Sequence, residues 1–492
     1  MDARHDAGTP HTHEPSHTGG GHRSLEADRD RVPELLETTR AYAVRLLAGL
    51  GDRPVARTPV RPAPTSLPET GIGVEGAMEE FSRRWEPGFA AGSGRYLGFV
   101  TGGVTPAALA GDWLTGTLDQ NPTSGMDSLA PDLERETAAW LRDLFGLPPE
   151  HEGTFVSGAT MSNFAGLAVA REWLGELRGV SPAEEGAAAL GPVTVLSGSP
   201  HSSVVKSLSM LGLGRSAIRR VGLLPGREAV DVDRLAEELD RLDGAPAIVV
   251  ANSGTVNTVD YDDLRAIAAL RKHHRFWLHV DAAFGAFAVL SPEHAHLVAG
   301  LGEADSVCVD LHKWLNVPYD SAIHFTRRRD LQARVFQNSA AYLTPVGDDP
   351  DFVHLTPENS RRLRALPAWF TLAAYGREGH AEIVRRCVAL AAGLGERISA
   401  MPAYRLLAPV RLNVVCFTLA SSPTPARIGE VAEAITESGE AFLTPTVHEG
   451  VPALRAAFSN WRTTEADVER VAKLLESLAL RPVASVRDRK DH

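Results

Sequence analysis

Short apolar runs at Gly153–Val156, Val193–Leu196, Ala247–Ala251, Phe276–Val280 and Ser306–Val309 punctuate the middle of the chain. Between them, Asn163–Leu174, Ser203–Leu211, Val232–Leu242 and Asp263–Arg271 carry apolar side chains at helical spacing. Runs too short for a buried helix, alternating with amphipathic segments, predict parallel strands joined by crossover helices. The expected core is a mostly parallel sheet covered on both faces, an α/β architecture. After about Tyr375 the pattern changes to a long helix (Ala381–Ile398), a strand (Asn413–Leu419), a helix (Pro425–Ser438) and a closing pair (Leu454–Ser459, Glu465–Leu480). That succession predicts a smaller α+β domain.

Upstream of the sheet, Leu35-Leu36, Tyr42-Ala43 and Leu46-Leu47 give Pro33–Leu50 a helical period, and Pro54–Pro68 is a proline-rich extended connector. A lone amphipathic helix and strap have little to bury themselves against, so a partner subunit is the economical cover. The first residues are rich in Gly, Pro, Ser, Thr and His and lack any period, which predicts a disordered tail. Its histidines (His5, His11, His13, His17, His22) have no cysteine partners or fixed geometry, so a solvated tail is favoured over a metal site. The expected division is a tail (1–24), an arm (25–105), a large domain (106–375) and a small C-terminal domain (376–492).

Composition narrows the function. A chain of 492 residues with net charge -12 lacks the basic surface that nucleic acid or an anionic membrane requires. Three cysteines (Cys308, Cys387, Cys416) form no disulfide framework and are expected as core thiols. No stretch approaches the roughly 20 apolar residues of a membrane span and no signal-peptide core is present, so a cytoplasmic location is the default expectation.

The chemistry is concentrated in loops that follow the predicted strands, where open α/β sheets place ligands. After the first strand, Ser157-Gly158-Ala159-Thr160-Met161-Ser162-Asn163 leads small residues into a helix, a candidate phosphate cradle or simply a cap. Pro200-His201-Ser202-Ser203 sets a histidine at a helix mouth, suited to stacking on a ring or to proton transfer, a structural histidine being the alternative. In His279-Val280-Asp281-Ala282-Ala283-Phe284-Gly285, the aspartate at a strand end needs a partner, and a protonated pyridine nitrogen would serve; an N-cap is the plainer reading. Asp310-Leu311-His312-Lys313 follows roughly thirty residues later, a spacing that fits one β-α-β step. Lys313 there is suited to a Schiff base with an aldehyde cofactor such as pyridoxal 5'-phosphate (PLP), against the alternative of a surface lysine.

Together these segments, above all Pro200-His201-Ser202-Ser203-Val204, His279-Val280-Asp281-Ala282-Ala283-Phe284 and His312-Lys313-Trp314, resemble the group II PLP-dependent amino-acid decarboxylases. That family includes the aromatic-amino-acid, glutamate, histidine and 2,4-diaminobutyrate enzymes, and the likeness covers nearly the whole chain after the tail. It implies fold type I, a homodimer with shared active sites, and PLP held covalently on Lys313. It further implies a catalytic set of Lys313, Asp281 (pyridine nitrogen) and His201 (ring stacking). Ala159, Thr160 and Met161 fall on the phosphate turn, with Asp310 and His312 on the same side, and Thr101 falls near the substrate carboxylate.

Two departures bear on mechanism. Val256 stands where the family commonly has a threonine against the cofactor ring, leaving Thr255 or Asn257 as substitutes. The segment Thr344–Glu358 resembles the family's catalytic loop, which acts across the dimer, but Phe352 occupies the place of its proton-donating tyrosine. Leu355 takes that place in a shifted register, and His354 is a neighbouring source of a proton. In some plant relatives such a phenylalanine accompanies oxidative decarboxylation to an aldehyde. Decarboxylation of an L-amino acid to an amine is therefore the first expectation, aldehyde formation the second, and a fold type I carbon-carbon lyase or desulfurase the third. A non-catalytic regulator or scaffold is disfavoured by the presence of lysine, aspartate and histidine together. Arg462 is a candidate for a substrate carboxylate, with a surface ion pair as the alternative.

Overall fold

The computed structural model describes residues 20–338, 347 and 349–480. Most of the expected disordered tail (residues 1–19) lies outside them. A helix at Gly20–Asp30, with the helix-favouring Leu25-Glu26-Ala27, spans the expected boundary at residue 24.

The chain divides into two compact units. One comprises the residues up to Arg53 with Arg57–Ala91. Its helices are Gly20–Asp30, Val32–Ala48 and Gly73–Arg84, tied by Arg31 to Glu34 and Glu75 and by Arg53 to Glu86 at 3.1 Å. On the second helix Leu35 is buried, while Leu36, Val44 and Leu47 are exposed.

The other unit, Pro54–Ala56 and Gly92 onward, holds the sheet. Its strands are β1 (Glu152–Val156), β2 (Val195–Ser197), β3 (Ile218–Arg220), β4 (Ala247–Asn252), β5 (Phe276–Asp281), β6 (Ser306–Asp310) and β7 (Ala322–Thr326). They lie in the order β1-β7-β6-β5-β4-β2-β3. The β3-β2-β4-β5-β6 ladders are parallel, and β7 alone runs antiparallel, between β6 and β1. All of β2, β4, β5, β6 and β7 is buried, as expected of strands covered on both faces. Sequence pattern misses β7 because His324 and Thr326 interrupt its apolar run, and misses β3 because it ends in two arginines.

The helix that covers the site end of the sheet is Ala159–Arg178, closed by Gly179 in the left-handed region. It approaches β5 so closely that a Cβ on Gly166 would stand 2.6 Å from the His279 ring. A helix runs through Ala365–Ser399 with a break at Gly376 (φ 57°), beside the change of pattern seen in the sequence. Beyond it, β8 (Tyr404–Leu406), β9 (Val414–Leu419), β10 (Thr444–His448) and β11 (Val451–Ala457) form an antiparallel sheet in the order β10-β11-β9-β8. The helix Pro425–Ser438, predicted with the same bounds, has Thr424 as N-cap, proline in its first turn and Gly439 at its end. All three cysteines are buried free thiols. No helix among the described residues is long and apolar enough to cross a membrane.

The buried His324 on β7 yields a prediction. Burial drives its pKa down to about 3, and neither ring nitrogen has a hydrogen-bond partner among the described residues. The unfolded chain protonates this ring below about pH 6.5, so the folded state, which cannot, loses stability as pH falls from there toward 3. In His324→Phe, denaturant titrations between pH 6.5 and 4 should give a slope of stability against pH shallower by up to about 1.4 kcal/mol per unit. An unchanged slope would contradict the neutral buried ring.

Candidate active site

The C-terminal ends of β1, β2, β5 and β6 bring the predicted loops to one edge of the sheet. At the end of β6, the Asp310 carboxylate receives the Ala159 N–H at 3.1 Å, with His312 Nε2 at 3.2 Å and Lys313 Nζ at 3.3 Å. The Ala159 turn, the histidine and the lysine thus converge on a single buried acid. Burial would raise the Asp310 pKa, but Lys313 and then His312 outweigh it and hold it below the ordinary value. The Lys313 ammonium also lies 5.5 Å from the centre of the Phe284 ring.

Next to it, at the end of β5, Asp281 is 6% exposed. Its Oδ1 accepts the Ala283 N–H at 3.2 Å and its Oδ2 accepts Asn163 Nδ2 at 2.9 Å. Both bonds arrive at the carboxylate, which keeps further lone pairs for a cationic partner. From β2, His201 reaches the same neighbourhood, its Nδ1 2.7 Å from Ser203 Oγ. The residue is exposed at the rim, yet its ring is crowded enough for desolvation, ahead of Lys313 and Arg455, to lower its pKa, with Asp281 and Asp310 opposing.

Thr101 packs behind the lysine. Ser459 Oγ donates to its carbonyl at 2.9 Å, and its hydroxyl is 3.2 Å from Tyr319 Oη, whose ring lies 4.2 Å from that of His312. The neighbouring Gly102 must be glycine, since a Cβ there would lie 1.8 Å from the Lys313 carbonyl oxygen.

Other expected residues fall elsewhere. The Thr255 hydroxyl, expected against the cofactor, donates to Glu228 at 2.6 Å and accepts the Asp260 N–H at 2.9 Å, which engages it within its own loop. Asn257 is likewise occupied, with Glu228, Val447 and Thr446. Phe352 and His354 are not brought to Lys313 within this chain. The Phe352 ring is buried 5.4 Å from each of the Arg135 and Arg361 guanidinium carbons, against Ala333 and Leu355, beside the opposite end of β1. His354 is buried and accepts the Asn338 N–H at 3.1 Å. Residues 344–346 and 348 of the expected catalytic loop lie outside the described residues. Arg462 stacks on Trp461 at 4.5 Å and lines a cavity of about 1010 Å³ with Arg386 and Arg397, to which none of the strand-end loops contributes.

Two residues escaped the sequence reading. Arg455, on β11, is 6% exposed; its Nη1 donates to the Val256 carbonyl at 2.8 Å, while its Nε has no partner among the described residues. Its charge acts on His201, which places it within the site's field. The signal was an arginine inside the apolar run Leu454-Arg455-Ala456-Ala457-Phe458. The other is Asn163, whose amide joins Asp281 to Ser203.

Residues 61–420 match the pyridoxal-dependent decarboxylase conserved domain. The chain belongs to this decarboxylase family. It is 29% identical over 398 residues to the aromatic-L-amino-acid decarboxylase of Bacillus atrophaeus, covering 78% of this chain and 81% of that protein. It is also 27% identical over 453 residues to the 3,4-dihydroxyphenylacetaldehyde synthase of Aedes aegypti, covering 87% and 85%. In fold it is similar to Oryza sativa TDC, crystallised with PLP and tryptamine, with a TM-score of 0.84, 22% identity and coverage of 95% and 99%. The protein is thus a PLP-dependent carboxy-lyase of the fold expected from its strand pattern.

The residues present fit that cofactor. A buried acceptor-only carboxylate (Asp281) suits a pyridinium N–H, and the first-turn N–H groups of Thr160 and Met161, which the helix itself does not use, suit a phosphate. The Gly158 turn lies against His312, whose Cε1 would be 3.6 Å from a Cβ there.

Proposed function

We propose that this enzyme holds PLP covalently at Lys313 Nζ and removes the carboxylate of an L-amino acid, releasing an amine and CO2. The observation that supports it best is the convergence of Lys313, His312 and Ala159 on Asp310 beside the buried Asp281. PLP, when bound, supplies an electron sink conjugated to the substrate's Cα.

The chain's own groups define the rest. Asp281 holds a proton on the ring nitrogen by charge and hydrogen bond, and His201 covers one ring face. Thr160 and Met161 N–H groups, with His312, hold the phosphate. Asp310, a carboxylate, repels a phosphate and acts instead by orienting His312 and the Ala159 turn. Arg455, buried with an Nε that has no partner among the described residues, would attract the substrate carboxylate. When CO2 leaves, Cα must receive a proton, and the Tyr319 hydroxyl, held by Thr101, is one O–H among the described residues suited to give it. Tyr319→Phe should lower the rate of amine formation and raise oxygen consumption; unchanged products and rate would remove Tyr319 from this role.

The second reading is oxidative. Phe352 stands where the family places a donor, and a Cα left unprotonated is open to O2, which with one water gives aldehyde, ammonia, CO2 and hydrogen peroxide. In either reading the enzyme works as a homodimer with shared active sites, the exposed apolar face of Val32–Ala48 being covered by the second copy. Incubation with a panel of L-amino acids under air and under argon separates the two. Amine without oxygen uptake supports the first; aldehyde with peroxide, shifted toward amine by Phe352→Tyr, supports the second.

A further inference from the structure

We infer that Asn163 is a positioning residue whose single side-chain amide fixes both Asp281 as a hydrogen-bond acceptor and His201 in its Nε2–H tautomer. The inference rests on the reading of Asp281 and His201 as cofactor-facing groups.

Asn163 is fully buried at the start of the helix over the sheet. Its Nδ2 donates to Asp281 Oδ2 at 2.9 Å and to Ser203 Oγ at 3.0 Å, and its Oδ1 lies 2.8 Å from His279 Nε2. Behind it, His279 Nδ1 is 2.8 Å from Ser306 Oγ, and Ser306 Oγ receives Trp277 Nε1 at 2.9 Å. In front of it, Ser203 Oγ is 2.7 Å from His201 Nδ1, which also receives the Ser203 N–H at 3.3 Å.

The direction of the hydrogens in this chain follows from the Asp281 carboxylate, which can only accept. Asn163 therefore turns its NH2 toward Asp281 Oδ2 and Ser203 Oγ, and its Oδ1 toward His279 Nε2. A neutral imidazole that accepts at one nitrogen donates at the other. His279 is neutral at ordinary pH, because burial brings its pKa down to about 4. Its Nε2–H therefore points at Asn163 Oδ1, and its Nδ1 accepts the Ser306 O–H, whose oxygen takes the Trp277 N–H. A reversed amide would set an oxygen against the Asp281 carboxylate and an N–H against an N–H. Ser203 Oγ accepts from Asn163, and His201 Nδ1 accepts the Ser203 N–H, so the proton of the neutral His201 ring sits on Nε2. Gly166 completes the argument, since only a residue without Cβ lets this helix come close enough for Asn163 to reach β5.

Asn163→Asp tests the donors while keeping the shape. It removes both N–H donors and sets a second carboxylate against Asp281. Losing a hydrogen bond to a charged group should weaken PLP binding, followed by absorbance on titrating the stripped enzyme, by about 10- to 100-fold, with kcat falling more than KM rises. Its activity optimum should also move to lower pH, because the introduced carboxyl group, once protonated, regains one O–H to donate to Asp281. Asn163→Leu should lose as much without that shift. Asn163→Asp that binds PLP and turns over like the wild type, or that loses as much as Asn163→Leu with an unshifted profile, would overturn the inference. Nitrogen-15 shifts of labelled histidine in the unsubstituted enzyme give a readout independent of activity and of any folding defect. The Nε2–H tautomer is expected at His279 and His201, and Nδ1–H at either would overturn it. The wild-type visible band and its loss in Lys313→Ala test the underlying reading separately.

Discussion

Lys313→Ala is expected to abolish the near-visible absorption band of the purified enzyme and to cut turnover on the order of 10⁴-fold or more. The reason is positional. Lys313 is the primary amine that sits on the buried Asp310 and over Phe284, at the strand end where the turn at Ala159 and the carboxylate of Asp281 also arrive. Removing it leaves the phosphate and ring contacts, so PLP should still associate, but reversibly and with the spectrum of the free aldehyde. The fold should survive, because the side chain is partly exposed and its loss leaves Asp310 paired with His312 and the Ala159 N–H. An unaltered band, or turnover within tenfold of the wild type, would remove Lys313 from the chemistry and reopen the choice of reactive amine.

Asp281→Asn should be nearly as severe, with kcat lower by about 10³-fold or more, a loss of some 4 kcal/mol of transition-state stabilisation. An amide is the same size as the carboxylate but carries no charge to keep a ring nitrogen protonated, so electron withdrawal from Cα weakens. The substitution also sets the new amide against the Asn163 NH2, disturbing the link to Ser203 and His201. Asp281→Glu retains the charge but moves it by a methylene into a strand end packed at 6% exposure, and should recover only part of the loss. Steady-state kinetics on the best substrate of the amino-acid panel, with the band position recorded alongside, checks both. A kcat for Asp281→Asn within tenfold of the wild type would mean that Asp281 is an N-cap and no more.

The strand-end residues were legible because each belongs to a local pattern. An apolar run followed by small residues and a helical period marks a strand, turn and helix within a few positions, and Ala159, His201, Asp281 and Lys313 each sit at such a junction. Arg455 was legible in principle, as a charge inside an apolar strand, but its burial and unpartnered Nε are properties of packing. Thr255 looked available for the cofactor, yet Glu228, brought from a separate loop, takes its hydroxyl. Phe352 was identified by position in a loop, and only the fold shows it held between Arg135 and Arg361 in its own chain.

By itself the sequence determined the alternation of strands and helices, the family it resembles, and which residue types stand at the strand ends, since these depend on periodicity over neighbouring residues. Tertiary structure decided how those groups are joined. Asn163 meets Asp281 across 118 positions and His279 across 116, through an approach permitted by one glycine. β7 enters the sheet antiparallel between β6 and β1, against the parallel rhythm around it. Contacts of that range follow from how the layers pack and from where each buried donor finds its acceptor, which spacing along the chain does not encode.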